Sequence, residues 1–259
     1  MKTLLFFDID GTLLKPDYTM NSRLVQKYIR KLSKKGYLFG LNSNRSERDL
    51  KLISKLLGIN GPIIGEGGVV YFFQNKQFFL VKSRVIREQI VDRLNNLAVQ
   101  NGAVIKLVDT VNYPFDKFKS IPLVWAINKY RKWTASIHVF TYGKRDYKAA
   151  IRLKRLLKRD SKFKYNVQVS PIFSNVLISP RLMDKGRALT ILRKKYFSKT
   201  KLFMIGDDSA DLSTQRVVDA FFAVGNAEKK LKNKAIYVAK KLYTQGVVEI
   251  LQYIDKNNL

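Results

Sequence analysis

The stretch Leu4-Leu5-Phe6-Phe7-Asp8-Ile9-Asp10-Gly11-Thr12 decides the fold of this chain. Residues 2–7 form a short apolar run that stops at acidic residues and a glycine, which predicts a buried strand leading into a loop. Because side chains alternate along a strand, Asp8 and Asp10 are expected to point the same way. They would lie beside the crevice where open α/β sheets bind ligands. The simpler alternative is an acidic turn without chemistry, since Asp and Gly are common in turns.

Strand and helix patterns alternate on both sides of this stretch and predict a parallel sheet covered by helices. The middle of the chain is richer in antiparallel signals, beginning with a hairpin at 69–73 and 77–81. We therefore predict an α/β protein with a Rossmann-like parallel sheet core, residues 1–82 and 183–259, and an inserted α/β domain, residues 83–182. The predicted helices are 22–35, 46–57, 85–99, 146–158, 185–196, 212–217 and 247–254. The other predicted strands are 37–41, 62–64, 103–108, 134–142, 166–169, 176–179, 202–205 and 221–224.

The composition excludes several classes of protein and of site. Among 259 residues there is no cysteine, so disulfides, thiolate metal sites and cysteine nucleophiles are excluded. The single histidine, His138, leaves no His pair for a metal, and we interpret it as a strand residue. No signal-peptide pattern and no apolar run of roughly 20 residues is present, so we expect a cytoplasmic protein without membrane association.

Three further groups of polar residues follow the predicted strands or begin the helices. Asp207 and Asp211 follow a second apolar strand, and a metal shared with the first acidic pair would compensate their charges. Ser43-Asn44 ends the strand at 37–41, where a hydroxyl and backbone N–H groups can hold phosphate oxygens. Lys185 begins a helix, a place that the helix dipole does not favour for a cation. Each group also has a plainer interpretation as a helix cap, a turn or a solvated lysine.

The order and spacing of these motifs resemble the haloacid dehalogenase superfamily of aspartate-nucleophile phosphatases. Asp8-Ile9-Asp10-Gly11-Thr12 matches its first motif, Ser43 the second, Lys185 the third and Gly206-Asp207 through Asp211 the fourth. Gly225-Asn226-Ala227 matches a segment that recurs after the fourth motif. The insertion between the second and third motifs resembles the α/β cap of one subgroup.

Within that superfamily, several stretches are most similar to archaeal phosphoglycolate phosphatases. They are residues 57–62, Gly65-Glu66-Gly67-Gly68, residues 132–136 and residues 243–249. Two positions depart from that subgroup. Gly67 stands where Asn usually follows Glu, and Ala210 stands where Asn usually precedes the last Asp.

The resemblance implies a role for each matching residue. Asp8 is the nucleophile that forms a phosphoaspartate, and Asp10 is the general acid and base. Mg²⁺ is bound by Asp8, the Asp10 carbonyl and Asp207, with Asp211 ligating it or supporting the site. The phosphoryl group is held by Ser43, Asn44 and Lys185. Asn226 contacts the phosphoryl end or braces its loop.

The implied function is Mg²⁺-dependent hydrolysis of a small phosphorylated metabolite, with 2-phosphoglycolate as the best candidate. Arg131 and Lys132 are candidates for meeting its carboxylate, and two ordinary surface cations are the alternative. A sugar-phosphate phosphatase or phosphomutase on the same fold is an alternative function.

The charge of the chain leaves a more distant alternative, a protein that binds polyanions without catalysis. The net charge of +29 attracts polyanions. The predicted helix at 146–158 is very basic. No recognised nucleic-acid motif accompanies the charge, so a solvated cationic surface is the favoured interpretation, ahead of nucleic-acid binding.

Overall fold

The computed structural model describes residues 2–74, 76–80, 87–109, 115–131, 133–159, 163–170, 173–181 and 183–259. The chain divides into two compact units, Met1–Leu80 with Met183–Leu259 and Val81–Leu182. The first is called the core unit below and the second the inserted unit.

The strands of both units are numbered in chain order. They are β1 (Thr3–Phe7), β2 (Tyr37–Asn42), β3 (Ile63–Gly65), β4 (Val70–Phe73), β5 (Lys76–Phe79), β6 (Val104–Val108), β7 (Val124–Asn128), β8 (Ala135–Thr141), β9 (Lys144–Arg145), β10 (Tyr165–Ser170), β11 (Asn175–Pro180), β12 (Lys201–Gly206), β13 (Ala220–Ala223) and β14 (Tyr237–Val238).

The helices are numbered in the same way. They are α1 (Ser22–Ser33), α2 (Glu47–Leu57), α3 (Arg87–Gln100), α4 (Tyr147–Arg159), α5 (Lys185–Tyr196), α6 (Lys229–Lys232) and α7 (Tyr243–Asn257). Short 3₁₀ helices span Glu66–Gly68, Phe115–Phe118 and Ser209–Arg216.

The core unit is built on an eight-stranded sheet in the order β14-β13-β12-β1-β2-β3-β4-β5. The pairs from β14 to β3 are parallel, and β4 and β5 are added antiparallel at one edge. All five residues of β1 are buried, as expected for a central parallel strand covered on both faces. The α/β class with a parallel core sheet, predicted from the sequence, is confirmed.

Side chains cap the helices of the core unit where the sequence places Asn, Ser and Asp. The Asn21 side chain accepts from the Leu24 N–H at α1, and the Ser46 hydroxyl accepts from the Asp49 N–H at α2. Asp184 does the same for Arg187 at the start of α5. Each cap satisfies a backbone donor that has no partner within its helix, and so fixes where the helix begins.

The inserted unit has its own sheet and its own apolar core. Its strands run in the order β10-β11-β8-β7-β6, with β9 paired to β8. The pair β6–β7 is parallel and the other pairs are antiparallel. Buried side chains of α3 and α4, such as Leu94 and Leu153, pack with strand residues such as Trp125 and Ile137.

The structure corrects the sequence-based elements at several places, and the short elements β9, α6 and β14 were not predicted. The predicted helix at 212–217 overlaps the 3₁₀ helix Ser209–Arg216, and the last helix spans Tyr243–Asn257 rather than 247–254. Strand β7 was not predicted, although its five residues are all buried. Its apolar run follows residues 110–122, a segment whose sequence shows no clear secondary-structure pattern. Apolar and polar residues do not alternate along it, because a strand buried on both faces needs apolar side chains on both. Residues 85, 86 and 110–114, which belong to predicted elements or loops, lie outside the described residues.

Candidate active site

The carboxyl ends of three neighbouring strands bring the predicted acidic and hydroxyl residues together. In the core sheet, β1 lies between β12 and β2, and all three are parallel. Asp8 follows β1, Ser43 follows β2 and Asp207 follows β12. The Asp8 N–H continues the pairing by donating to the Ile205 carbonyl at 2.9 Å. This is the edge at which open α/β sheets bind ligands.

Lys185 links the first acidic motif to the second. Its Nζ lies 2.6 Å from Oδ1 of Asp8 and 2.8 Å from Oδ1 of Asp211. The Lys185 side chain is 3% exposed, and those of Asp8 and Asp211 are 5% and 0% exposed. A buried lysine at a helix start is explained by two buried carboxylates that need a cation, so the solvated-lysine alternative is wrong.

Backbone and hydroxyl donors fix the second acidic motif. Asp211 accepts from the Asp207 N–H at 3.1 Å through Oδ2, and Thr12 donates its hydroxyl to Oδ1 of Asp207 at 2.7 Å. The Asp208 side chain caps the 3₁₀ helix by accepting from the Ala210 N–H at 2.9 Å. Thr12 belongs to the first motif, so this contact ties the two acidic loops to each other.

Burial and crowding of charge change the protonation of these groups. Burial raises the pKa of the Asp8 carboxyl well above its ordinary value, and nearby Asp211 raises it further, against the opposing effect of Lys185. Burial and the charge of Asp8 likewise raise the pKa of Asp207. Burial would lower the pKa of the Lys185 ammonium, but Asp211 and Asp8 raise it well above its ordinary value. The site therefore holds more buried negative charge than one lysine compensates.

The same carboxylates fit a hard divalent cation. Asp8, Asp207 and Asp211 are all buried and offer oxygen atoms within 4.8 Å of one another. Oxygen donors of this kind suit Mg²⁺ rather than softer metals. Gly11 keeps the space beside them clear, because a Cβ there would lie 2.1 Å from Oδ2 of Asp207. A bound cation would also offset the repulsion that raises the carboxyl pKa values.

Asp10 does not share the environment of Asp8. Arg45 donates from Nε to Oδ2 of Asp10 at 2.9 Å and from Nη2 to Oδ1 at 2.6 Å, so the two side chains form a bidentate ion pair. The Asp10 side chain is 25% exposed, and its carboxylate is not part of the buried group of three. The predicted metal contact of Asp10 is made by its backbone carbonyl, and the ion pair of its carboxylate with Arg45 does not involve that carbonyl. Burial lowers the pKa of Arg45, but Asp10 outweighs burial and raises it.

The predicted phosphate-binding residues lie near these carboxylates in different ways. Ser43 is buried, and its Oγ accepts from the Arg45 N–H at 3.3 Å. The Asn44 side chain lies against Gly67, whose added Cβ would lie 2.9 Å from the Asn44 Oδ1. A side chain in place of Gly67 would therefore displace Asn44.

Asn226 connects its own loop to the first acidic loop and to the start of α7. Its Nδ2 donates to the Gly11 carbonyl at 2.7 Å, and its Oδ1 accepts from the Tyr243 N–H at 2.8 Å. Both ends of the amide are thus used within the protein. This supports the alternative in which Asn226 braces the first motif.

The contacts of Arg45 with Asp10 and of Thr12 with Asp207 were not predicted from the sequence. Both contacts join residues that are distant in the chain, and residue spacing along one strand does not reveal them. A signal was present for Arg45, because it follows Ser43-Asn44 directly at the sheet edge where Asp10 was expected. In the inserted unit, Arg131 is buried and donates to the Thr134 hydroxyl at 3.0 Å, so it is not an ordinary surface cation. Lys132 lies outside the described residues.

Comparison with known proteins agrees with this geometry. A family profile described as haloacid dehalogenase-like hydrolase matches residues 5–251. The chain belongs to the haloacid dehalogenase-like hydrolases. Among the described residues of this hydrolase, no helix combines the length and the apolar character needed to cross a membrane.

Individual relatives of the hydrolase are distant but match over nearly their whole length. A phosphoglycolate phosphatase of Sulfolobus acidocaldarius is 26% identical, over 98% of this chain and 97% of the relative. A glucosyl-3-phosphoglycerate/mannosyl-3-phosphoglycerate phosphatase of Persephonella marina is 23% identical, over 98% of both chains. The crystal structure of a haloacid dehalogenase-like hydrolase from Bacteroides thetaiotaomicron has a TM-score of 0.73 at 20% identity, covering 98% of this chain and all of that one. The similarity to the Bacteroides structure shows a shared fold and nothing more.

Proposed function

We propose that this hydrolase is a Mg²⁺-dependent phosphatase that cleaves a small phosphorylated metabolite through a phosphoaspartate on Asp8. One observation carries the proposal: the buried Lys185 ammonium lies between the carboxylates of Asp8 and Asp211 at the ligand-binding edge of the sheet. A carboxylate and an ammonium placed together suit nucleophilic attack on a phosphoryl group whose oxygens carry negative charge.

In the first step Asp8 displaces the alcohol. A carboxylate oxygen of Asp8 forms a bond to phosphorus while the bond from phosphorus to the alcohol oxygen breaks. The electron pair leaves with that oxygen, which receives a proton from Asp10. The Asp10 carboxylate bonds to Arg45 in the structure, so this ion pair must loosen when Asp10 carries its proton.

In the second step water releases the phosphate. The Asp10 carboxylate takes a proton from a water molecule, whose oxygen attacks phosphorus. The bond from phosphorus to Asp8 breaks, and the Asp8 carboxylate and inorganic phosphate are formed. Asp10 then holds the proton needed for the next turnover, so one residue serves as acid and then as base.

The remaining residues stabilise charge on the transferring group. Ser43, the Asn44 backbone and Lys185 would hold the phosphoryl oxygens, and electrostatic stabilisation of this kind is usually the largest contribution to catalysis. Mg²⁺ held by Asp8, Asp207, Asp211 and the Asp10 carbonyl would neutralise part of the phosphoryl charge.

2-Phosphoglycolate is the substrate that we favour. The support is the name of the Sulfolobus relative and the presence of Arg131, a buried cation suited to a carboxylate. Arg131 belongs to the inserted unit, and in this proposal that unit selects the leaving group. The domain division at residues 82 and 183 and the cytoplasmic location stay predictions from the sequence.

A phosphatase or mutase for sugar phosphates is the second candidate. The Persephonella relative, a phosphatase for glycosylated 3-phosphoglycerates, favours it. The two phosphatase candidates differ in the size of the leaving group and share the chemistry at Asp8. A mutase would form the same phosphoaspartate but pass its phosphoryl group to a second substrate hydroxyl instead of to water.

A phosphate-release screen in the presence of Mg²⁺ tests the proposal. It should compare 2-phosphoglycolate, glucosyl-3-phosphoglycerate, a hexose phosphate and an aryl phosphate. Asp8→Asn should lower turnover at least about a thousand-fold, because the amide keeps the shape but cannot form an acyl phosphate. Asp116→Asn is the matched control, since that side chain is 82% exposed in the inserted unit. Chelation of Mg²⁺ should also remove activity.

Appreciable turnover by a pure Asp8→Asn preparation would rule out Asp8 as the nucleophile. Full activity after exhaustive chelation would rule out the metal assignment. Preference for the glycosylated substrate over 2-phosphoglycolate would favour the second candidate function and leave the phosphoaspartate chemistry in place.

A further inference from the structure

One face of α4 carries a row of exposed cations that the proposed function does not use. Lys148, Arg152, Arg155 and Arg159 are all exposed and are spaced three or four residues apart. Side chains with this spacing lie on one stripe of a helix. The stripe, called the α4 row below, extends over about 16 Å of helix axis.

Among the described residues, Asp146 is an acidic group that interacts with the α4 row. Burial raises the pKa of Asp146, but its hydrogen bonds and the charge of Arg152 outweigh burial and lower it. Asp160, which follows Arg159 in the sequence, lies outside the described residues. Helix α4 has no acidic residue in its first turn, and none of the four cations forms an ion pair with a carboxylate in the described part of the chain. The nearest acidic residue before the helix is Asp146. It caps the helix by accepting from the Ala149 N–H at 2.8 Å, and it also accepts from the Thr141 hydroxyl at 2.9 Å.

The flank of α4 beside this row combines apolar, aromatic and cationic side chains. A cavity of about 480 Å³ is lined by Ile151 and by four cations, Lys154, Arg155, Lys158 and Arg159. Tyr147, one turn before Ile151, is 41% exposed, and Tyr142, in the turn between β8 and β9, is 58% exposed. Tyr147 is the first residue of α4, and Tyr142 follows Thr141, whose hydroxyl bonds to Asp146 directly before the helix. Exposed rings near the start of a cationic helix suit a ligand that has both phosphates and flat bases.

The other face of α4 is already occupied. Ala149, Ala150, Leu153 and Leu157 are buried against the sheet of the inserted unit. A helix that lies in a membrane surface inserts its apolar face into the lipid. Since the apolar face of α4 is packed within the protein, the geometry favours a nucleic acid over a lipid surface.

We propose that the α4 row binds the phosphate backbone of single-stranded nucleic acid, with bases stacking on Tyr142 and Tyr147. The sequence alone favoured a solvated surface, because it showed a basic helix but not where its cations and aromatic rings lie. The structure adds their alignment on one stripe, the flanking cavity and the exposed rings. This binding is independent of the phosphatase chemistry at Asp8.

Fluorescence anisotropy with a labelled 30-mer of deoxythymidine tests the proposal across a salt series. Four phosphate contacts give a slope of log K against log salt of about −2.8 for a single strand. Replacing the α4 row by glutamine, a good helix former, should make the slope shallower by about this amount. The affinity at 0.1 M salt should fall at least about tenfold. The substitutions are Lys148→Gln, Arg152→Gln, Arg155→Gln and Arg159→Gln.

Helix α1 offers a matched control with the same spacing. Arg23, Lys27, Arg30 and Lys34, the last directly after the helix, are exposed on the core unit with the same spacing. Replacing these four by glutamine removes the same net charge from the chain. This control variant should keep the affinity within about threefold. Equal losses from both variants would show attraction by net charge alone and would overturn the proposal.

A third variant tests the stacking of bases. Tyr142→Asn suits the left-handed backbone at this position, where φ is +47°, and Tyr147→Ala keeps the helix start. Together they should weaken binding about fivefold or more without changing the salt slope. Unchanged affinity, equally tight binding of a duplex, or binding of phosphatidylserine vesicles in place of the oligonucleotide would each contradict the proposal. Thermal melting should confirm that every variant is folded.

Discussion

At the scale of single residues, Gly11 shows how closely the backbone is fitted to the site. Its φ of +87° is in the left-handed region, and its missing Cβ leaves room for the Asp207 carboxylate. Its carbonyl accepts from Asn226. A methyl group here would have to displace a carboxylate that we assign to the metal.

Gly11→Ala should therefore lower phosphate release at least about tenfold and raise the Mg²⁺ concentration needed for half-maximal activity. Gly36→Ala is the control, because Gly36 has a φ of +91° and an added Cβ there meets nothing within 4 Å. Both variants carry backbone strain on the order of 1–3 kcal/mol. Thermal melts together with Mg²⁺ titrations of activity separate the two effects. Equal activity in both variants would show that the space beside Asp207 is not needed.

Arg45 is expected to act by positioning Asp10. Arg45→Met should lower kcat about a hundred-fold, because a proton-transfer group that loses its orientation loses most of its effect. KM for an aryl phosphate should change less than about threefold. Arg45→Lys should restore part of kcat, since an ammonium can replace one of the two hydrogen bonds. Steady-state kinetics measure both parameters, and a raised KM with unchanged kcat would instead indicate that Arg45 binds substrate.

The sequence reveals the residues of the site better than the contacts between them. Asp8 and Asp207 could be predicted because each follows an apolar run, and strand ends meet at one edge of a parallel sheet. The same rule places Arg45 and Asp10 at one sheet edge, but it does not specify that their side chains form an ion pair, because loop conformation decides which side chains meet. The buried state of Lys185 was equally hidden, since a lysine at a helix start is more often solvated.

At the scale of secondary-structure elements, Glu249 ties helix α7 to the segment before it. Its carboxylate accepts from the backbone N–H groups of Lys240 and Lys241, both at 3.0 Å, and from the Tyr237 hydroxyl at 2.8 Å. Burial raises the pKa of Glu249, but these hydrogen bonds outweigh burial and lower it below the ordinary value of 4.5. The ionised carboxylate therefore stabilises the folded chain.

Glu249→Gln should lower the free energy of unfolding at neutral pH by less than about 1 kcal/mol, because the residue is only half-buried and solvent screens its interactions. A lowered pKa means that this stabilisation is complete above about pH 4.5 and is lost as the pH falls through the folded-state pKa. The difference in the free energy of unfolding between wild type and variant should thus vanish at acidic pH. Urea unfolding at pH 7, 5 and 3 measures it, and a difference that persists at pH 3 would exclude this explanation.

Elements with clear caps were predicted well, and buried or short elements were not. Helix α2 could be bounded because Ser46 caps it and Gly58 follows its last residue. Strand β7 is apolar over its first four residues and buried throughout, so it shows no alternation that would predict a strand. The segment Ser209–Arg216 shows helical composition but forms a 3₁₀ helix, in which Asp208 and Asp211 complete a capping box. That local geometry depends on the acidic site and not on helix propensity.

At the scale of the whole molecule, the chain combines a discontinuous core unit with a continuous inserted unit. The core sheet needs β1 from one end of the chain and β12 from the other, which pair directly. The sequence indicated that both ends of the chain contribute to one sheet, because an apolar run followed by aspartates occurs near each end. The inserted unit has its own sheet and its own buried cluster, which are the properties of a domain that folds alone.

Residues 81–182 expressed alone should therefore unfold cooperatively in urea. Their free energy of unfolding should fall with urea concentration by about 1–3 kcal/mol per molar, as it does for small domains. Two substitutions to aspartate, one at a buried position and one at an exposed position, test whether the apolar core of the inserted unit stabilises that fold. Leu153→Asp places a carboxylate where the side chain is 0% exposed, and should abolish the transition. Val99→Asp changes a residue that is 84% exposed, and should leave the midpoint nearly unchanged. A gradual, non-cooperative loss of circular dichroism in the unsubstituted fragment would show that the inserted unit depends on the core unit for its fold.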